Sequence, residues 1–311
     1  MILNTGNRTD IPAYYGKWFA NRLKEGYVFS RNPYNPQLIK KYILDPKVVD
    51  VIAFCSKNPL PFLQYMPLLK EYRVYFQVTI TPYDTRIEPH VPNKNRVIDG
   101  VKALSGMIGS SAIAWRYDPI LIDDYYTVDY HIHIFEEMCK RLSGYVDVVI
   151  ISFIDLYRKT RKNFPHIREV TLEEQHLLAV AFKEIAQEYG LHLKTCLEDS
   201  QDLRHLGIDV NGCMTKETLE KAFHITLNVP HLNQAREGCS CLLNNDIGFY
   251  NSCPHGCLYC YANEDQDEVM RNIKRHDPNS PLLIGHVHED DIIKEAKQES
   301  YIEPQLSIFD F

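Results

Sequence analysis

The stretch VVDVIAFCSKNP, residues 48–59, joins a largely apolar run to a polar end, and it decides the fold class. Val48–Phe54 is apolar on both faces of an extended chain, which is typical of a strand buried in a parallel sheet. The polar residues Ser56, Lys57 and Asn58 follow directly. This order predicts a strand–helix unit with functional side chains just after the strand.

The same pattern recurs along the first two thirds of the chain. The other predicted strands are Ile2–Thr5, Val74–Ile80, Ala112–Arg116, Val146–Phe153 and Leu191–Cys196. Helical patterns alternate with them at Pro12–Glu25, Leu60–Tyr72, Lys94–Met107, Val128–Leu142 and Leu172–Tyr189, the last with a capping box of Thr171 and Glu174. Six such units over residues 1–195 predict an α/β fold, as a partial or complete β/α barrel of parallel strands. An open doubly wound sheet is the alternative.

Charged side chains follow several of these strands. Because the carboxyl ends of parallel strands meet at one rim, we expect these side chains to position a cofactor and a substrate there. The residues predicted for catalysis are Arg8, Asp10, Lys57, Arg116 and Asp118, with Tyr157 and Lys159 contributing from the next loop. Taken singly, each also fits an ordinary polar loop or helix cap.

Composition narrows the class of protein. The chain has 311 residues, of which 45% are hydrophobic and 24% charged, and its net charge is −7. This charge argues against broad binding to a phosphate backbone. The sequence shows neither a signal-peptide pattern nor an uncharged apolar window of about 18 residues, so a cytoplasmic protein without a membrane span is expected. In that compartment its nine cysteines are interpreted as metal ligands or reactive thiols.

The stretch NSCPHGCLYCYAN, residues 251–263, holds three cysteines on a short turn, Cys253, Cys257 and Cys260. A zinc site usually pairs C-x2-C spacings with a fourth ligand nearby, and closure on His255 within the loop would be strained. Three thiolates on one tight loop suit one face of a cubane iron–sulfur cluster. A structural metal knuckle is the alternative.

The C-x3-C-x2-C spacing, with Tyr259 before the last cysteine and the run YCYAN, resembles the radical S-adenosylmethionine (radical SAM) enzymes, in particular the group containing spore photoproduct lyase. The resemblance implies that Cys253, Cys257 and Cys260 hold a [4Fe–4S] cluster and that Tyr259 lies beside the cofactor. It further implies that S-adenosylmethionine binds the open iron and is cleaved reductively to a 5′-deoxyadenosyl radical. A flavodoxin or ferredoxin would supply the electron.

The position of the loop departs from that family, whose barrels carry it after the first strand. A circular permutation reconciles the two, with Asn244–Tyr250 as the first barrel strand and Ile2–Thr5 as the second. In the family the loop after the second strand contacts the amino group of S-adenosylmethionine, which makes Asn4 and Arg8 candidate cofactor ligands. The usual Gly-Gly-Glu is missing from this loop, NTGNRTD.

Nearly the whole chain also resembles an uncharacterised bacterial family that begins with RTDIPA, carries KNP and RYDP, and ends with these cysteines. The motifs lie here at residues 8–13, 57–59 and 116–119. This resemblance implies the same barrel and cluster, and it names no substrate.

Four more cysteines form a predicted second metal site, Cys196, Cys213, Cys239 and Cys241. Four loop-borne thiolates can hold an auxiliary iron–sulfur cluster, which we favour, or zinc. The alternative is that Cys196 and Cys213 are buried packing residues, as we expect for Cys55 and Cys139.

The final residues include Gln305–Phe309, which resembles the pentapeptide that binds bacterial DNA polymerases and repair proteins to the sliding clamp. The alternative is a tail that folds back on the barrel through its apolar side chains.

Together these features predict an iron–sulfur radical SAM enzyme. Residues 1–195 would form the barrel units, 196–263 the cysteine-rich region, and 264–311 a helix and tail packed on the barrel. The photoproduct-lyase resemblance and the clamp-like tail point to a nucleic-acid substrate, whereas the net charge of −7 opposes it. The alternative is a non-catalytic metal-binding scaffold or redox sensor.

Overall fold

A computed structural model describes residues 1–196, 201–230 and 240–303, with the backbone alone for 201 and 202. Its strands, in chain order, are β1 Ile2–Asn4, β2 Tyr27–Arg31, β3 Leu38–Ile43, β4 Val51–Ser56, β5 Val74–Thr79, β6 Ile113–Ile120, β7 Val148–Phe153, β8 His192–Thr195 and β9 Ile292–Glu295. Six of them form one sheet in the order β1-β4-β5-β6-β7-β8. All five pairings in this sheet are parallel.

The helices lie mostly between these strands. They are α1 Ile11–Tyr14, α2 Gly16–Glu25, α3 Lys94–Ile108, α4 Val128–Leu142, α5 Arg158–Asn163, α6 Leu172–Glu188, α7 Gln201–His205, α8 Lys216–Phe223 and α9 Gln266–Lys274, with 3-10 helices at Leu60–Leu69 and Ser110–Ala112. None of the helices in the described ranges is long and apolar enough to cross a membrane.

The predicted α/β class is confirmed, because the six strands of the parallel sheet match the six predicted strands in number and order. The capping box of Thr171 and Glu174 at the start of α6 is confirmed as well. The helix predicted at Leu60–Tyr72 is present at Leu60–Leu69, as a 3-10 helix. Pro61 and Pro67 have no backbone N–H to donate, which disfavours a regular α-helix there.

The two faces of the six-stranded sheet carry different residues, because side chains alternate along a strand. One face packs against the helices through a large apolar core that includes Phe54, Phe76 and Trp115. The opposite face, with Ala53, Tyr75, Ala114 and Ile150, packs against residues of the cysteine-rich region, including Cys213, Met214, Leu219, Cys241 and Leu242. Residues 213–227 together with 241 and 242 therefore help to cover this second face, which is called the inner face below.

Both edges of this sheet are extended by single parallel bridges. Asn4 of β1 pairs with Asp246, and Lys194 of β8 pairs with Asp209. The predicted strand Asn244–Tyr250 is wrong as a strand, although it lies beside β1 as expected. Asn245 takes a φ of 52°, which breaks the extended backbone next to the bridge. The described residues thus form an open sheet, and barrel closure is not seen among them.

A second, three-stranded sheet was not predicted. It has the order β2-β3-β9, with β2 antiparallel and β9 parallel to β3. The helix predicted for the 264–311 region is present as α9. The clamp-like peptide Gln305–Phe309 lies outside the described residues, and the proposed domain boundaries stay a prediction.

Candidate functional site

The loop with Cys253, Cys257 and Cys260 lies at the carboxyl edge of the parallel sheet. It follows the bridge from Asp246 to Asn4 at the end of β1, and it contacts the segment after β5. The N–H of Leu258 donates to the carbonyl of Ile87 at 3.0 Å, and the N–H of His90 donates to the carbonyl of His255 at 3.0 Å. The loop is thus fixed by backbone pairing on both sides of Cys257.

Gly256 makes the turn between the first two cysteines. Its φ is +72°, and a Cβ there would lie 3.3 Å from the ring of His90. A side chain at this position would be strained in backbone conformation and crowded against the neighbouring loop. Glycine therefore lets the cysteine loop approach residues 87–90 closely.

Asp10 joins three segments at this edge. Its Oδ1 accepts from the N–H of Ala13 at 3.0 Å and so caps α1. Its Oδ2 accepts from the N–H of Lys57 at 2.8 Å and lies 2.8 Å from Nε2 of His255. The other ring nitrogen of His255 lies 2.9 Å from the hydroxyl of Tyr14. Asp10 thus positions the cysteine loop against β1 and β4, and the catalytic role predicted for it stays a prediction.

Glu88 is a buried carboxylate that the sequence analysis missed. Its side chain is 1% exposed, and it accepts from Lys57 Nζ at 2.7 Å, from the hydroxyl of Thr81 at 2.6 Å, and from Lys94 and the hydroxyl of Tyr259. Burial alone would raise the pKa of Glu88, but the two ammonium groups outweigh it and lower the pKa to about 2. Glu88 therefore stays ionised between two lysines, leaving one net positive charge beside Tyr259.

The three thiols of the loop are close enough to influence one another. Burial raises the pKa of Cys253, Cys257 and Cys260. Neighbouring cysteines raise it further at Cys253 and Cys257. Lys57 and Lys94 oppose this effect at Cys257, and Lys57 and Lys159 oppose it at Cys260. The net effect is a raised pKa at all three thiols, so a metal that binds them would have to displace their protons.

Arg116 lies on the inner face of the sheet, in β6. It donates to Oε1 of Gln77 at 2.9 Å and pairs with Asp118, whose other oxygen accepts from Ser152. The predicted partners Arg116 and Asp118 are thus brought together. Gln77 also donates to the carbonyl of Cys213 at 3.2 Å, which links this layer to the second cysteine group.

Cys196 and Cys213 lie beside Arg116, and Cys241 lies beside Cys213. The sulfurs of Cys213 and Cys241 are 3.5 Å apart. Hydrogen bonds from Cys196 and Cys241 lower the pKa of Cys213 well below its ordinary value, with help from Arg116, although burial opposes the shift. The fourth predicted ligand, Cys239, lies outside the described residues. Across the described ranges, no three His, Cys, Asp or Glu side chains are placed to hold one metal ion, so metal binding by either cysteine group stays a prediction.

Comparison with protein families gives a match over residues 2–262 to the model described as Domain of unknown function (DUF1848). The chain belongs to the DUF1848 family. The match covers the six-stranded sheet and ends two residues after Cys260, so both cysteine groups fall within the family region. No curated protein matches the chain.

Two predicted cofactor ligands of this DUF1848 chain are engaged in the fold. The side-chain nitrogen of Asn4 donates to the carbonyls of Leu242 at 2.9 Å and Asn244 at 3.1 Å. Arg8 Nε lies 2.7 Å from Oδ1 of Asp246. Both residues anchor the segment that leads into the cysteine loop, and their contact with a cofactor stays a prediction.

The next loop of the DUF1848 chain also reaches the site. Lys159 lies 5.5 Å from the ring centre of Tyr250, and it acts electrostatically on Cys260. Tyr157 donates to Asp155 at 2.9 Å and is 40% exposed. The structure therefore brings the predicted Lys159 beside the cysteine loop and leaves Tyr157 at the rim.

Proposed function

We propose that this chain is an iron–sulfur enzyme of the radical SAM type. The observation that carries the proposal is the placing of Cys253, Cys257 and Cys260 on one short loop at the carboxyl edge of a parallel sheet, where parallel α/β folds gather their functional groups. The alternative class, a non-catalytic metal scaffold or redox sensor, shares the cysteines but has no need of the charged groups around them.

The residues present fit a cluster with three protein ligands. Gly256 allows a tight turn, and the hydrogen bonds of Leu258 and His90 fix the loop from both sides. His255 is occupied by Asp10 and Tyr14, which leaves the three sulfurs as the ligand set within the loop. Cys253, Cys257 and Cys260 would hold the cluster, and Tyr259 would lie beside it.

When bound and reduced, a [4Fe–4S] cluster with an open iron supplies the single electron that cleaves S-adenosylmethionine. The chain's own residues shield and orient the site. Cys257 is 7% exposed, and Tyr259 packs edge-on to Tyr83 with ring centres 6.0 Å apart. These contacts keep bulk water away from the part of the loop around Cys257. Lys57 and Lys94 carry the excess positive charge that favours anionic groups of the cofactor or substrate.

The finer fold assignment belongs to the same proposal. Residues 244–250 would take the place of the first strand of a partial, circularly permuted barrel. Two observations support this arrangement. The segment makes its single parallel bridge to β1, as the permutation requires, and residue 209 makes a matching bridge to β8 at the far edge.

A second metal site is part of the proposal as well, with Cys196, Cys213 and Cys241 as described ligands and Cys239 as the fourth. An auxiliary iron–sulfur cluster or zinc fits this donor set. The support is that Arg116 acts electrostatically on Cys196 and Cys213, and that the sulfur of Cys241 lies 3.5 Å from that of Cys213.

The test is anaerobic purification followed by iron and sulfide analysis, and then reduction with dithionite in the presence of S-adenosylmethionine. We expect 5′-deoxyadenosine from the native chain and none from Cys257→Ala. Cys139→Ala, which alters a buried thiol of α4, serves as the control that keeps the product. Zinc in place of iron, or a reduced cluster that leaves S-adenosylmethionine intact, would overturn the enzyme proposal and favour the scaffold.

A further inference from the structure

We infer that the basic segment 158–168, at the rim beside the cysteine loop, is the docking surface for a small acidic one-electron carrier protein. The inference rests on the proposed function, because it assigns a partner to the same site. It goes beyond that function by naming the face of the chain at which the electron enters.

The segment RKTRKNFPHIR differs from the rest of the chain in charge. Five of its eleven residues are Lys or Arg, none is acidic, and the whole chain carries a net charge of −7. The side chains of Arg158, Arg161 and Arg168 are 90%, 62% and 48% exposed. Lys162 and His166 are exposed as well. This concentration of accessible cations on an acidic protein forms a local positive surface.

The basic segment borders the cysteine loop at two points. Arg158 pairs with Glu264 at 3.4 Å, four residues beyond Cys260. Lys159 lies over the ring of Tyr250, three residues before Cys253. A partner seated on this segment would therefore lie next to the three cysteines, which suits transfer of an electron over a short path.

An acidic protein fits this surface better than a nucleic acid does. A protein that binds a phosphate backbone commonly makes 6–10 phosphate contacts, roughly, and it carries a basic excess over the whole face. Here the segment holds five cations, and three acids at its margin, Glu169, Glu174 and Glu264, pair with its three arginines, so Lys159 and Lys162 make up its excess positive charge. A small surface patch that contains both charges, with an excess of one sign, is typical of short-lived complexes steered by charge, such as those of electron transfer.

The proposed step transfers one electron from the carrier to the cluster. The reduced carrier would lose one electron, and the cluster that Cys253, Cys257 and Cys260 are proposed to hold would gain it, without transfer of a proton or a covalent group. The basic segment takes no part in the chemistry. It raises the rate of encounter and orients the carrier.

The experiment compares the native chain with the triple variant Arg158→Glu, Arg161→Glu and Lys162→Glu. A ferredoxin-type iron–sulfur protein with an acidic surface serves as the probe. We would measure complex formation by titration at low salt and the rate of cluster reduction by stopped-flow absorbance. We expect the variant to lose complex formation and to be reduced about ten- to hundred-fold more slowly by the carrier. Added salt should slow the native chain toward the variant.

Two controls keep the outcomes separate. The matched triple variant Lys47→Glu, Lys70→Glu and Lys140→Glu changes charge equally at exposed positions away from the rim, and it should behave as the native chain does. Reduction by dithionite should be unchanged in both variants, which shows that the cluster is intact.

The inference is overturned if both triple variants slow the carrier equally, or if neither does. It is also overturned if the native segment binds a single-stranded oligonucleotide and ignores the carrier. A chain that binds no iron, or whose cluster dithionite does not reduce, defeats the proposed function itself and the docking surface with it. Intact dithionite reduction with an unaffected carrier defeats the docking surface alone.

Discussion

The backbone N–H of Cys213 donates to the sulfur of Cys241 over 3.1 Å, across 28 residues of chain. The N–H of Met214 donates to the same sulfur at 3.4 Å. A sulfur that accepts two backbone donors is stabilised in its anionic form. The two donors therefore favour the thiolate of Cys241, whereas the hydrogen bond to Cys213 and burial raise the pKa of Cys196 well above its ordinary value.

The first prediction concerns metal content. Cys213→Ser should remove the metal of the second site, which is about four irons per chain for a cubane cluster, because one of its three described ligands is lost. Inductively coupled plasma analysis of anaerobically purified protein measures this change. Cys139→Ser should keep the native content. Equal metal in both variants would show that Cys213 is a packing residue.

The second prediction concerns Gly212. Its φ is +123°, and a Cβ there would lie 2.7 Å from the sulfur of Cys241. Gly212→Ala should lower the free energy of unfolding by about 1–3 kcal/mol, since it combines backbone strain with a clash at a buried sulfur. Urea denaturation gives the value. Gly144→Ala, where φ is +78° and nothing lies within 4 Å of the added Cβ, should cost less. A larger loss at Gly144 would contradict the tight contact.

The third prediction concerns Glu88. Glu88→Gln leaves two half-buried ammonium groups without their buried carboxylate and should lower the free energy of unfolding by about 3–5 kcal/mol. Urea denaturation at pH 7 is the measurement. The matched change Glu169→Gln, in the exposed pair with Arg161, should cost at most about 1 kcal/mol. Similar losses in the two variants would mean that the buried network contributes little.

The same residue sets a pH dependence. The pKa of Glu88 falls from 4.5 to about 2 on folding, so the unfolded chain binds its proton first as the pH is lowered. The stabilisation from Glu88 is complete above about pH 4.5 and is lost as the pH falls toward 2. The difference in unfolding free energy between the native chain and Glu88→Gln should therefore shrink over this range. A constant difference would contradict the shifted pKa.

The fourth prediction concerns the start of α6. Thr171→Ala removes the side chain that accepts from the N–H of Glu174 and should cost about 1 kcal/mol. Thermal unfolding followed by circular dichroism measures the loss. Thr171→Ser keeps the capping oxygen and should restore most of the stability. An equal loss in the serine variant would assign the effect to the methyl group.

The parallel sheet could be predicted because most of its strands contain an apolar run and stand between helical patterns. Val148–Phe153 and Val74–Thr79 are recognisable from local sequence alone. The second sheet could not be predicted, since β9 pairs with β3 from about 250 residues away and all four of its residues are exposed. Without an apolar face, β9 gives no periodic signal.

The candidate site was also predicted only in part. The cysteines, Lys57 and the pair of Arg116 and Asp118 were found because they follow predicted strands or share a short motif. Glu88 was missed because it lies in an irregular segment, and its partner Tyr259 is 171 residues away. Cys55 was interpreted as a packing residue, yet Arg116 acts on it electrostatically from the inner face of the sheet. The face of the sheet on which a single cysteine lies depends on the pairing register of its strand. That register cannot be read from a single sequence.

The contact between Arg8 and Asp246 spans 238 residues. At a synthesis rate of about 5–20 residues per second, the ribosome adds the second partner roughly 10–50 s after the first. The first strand–helix units therefore have time to form before the cysteine loop leaves the exit tunnel. A nascent chain that stalls before residue 246 would hold most of the sheet but none of the three loop cysteines, so a prematurely released fragment carries the scaffold without the thiols proposed to hold the catalytic cluster.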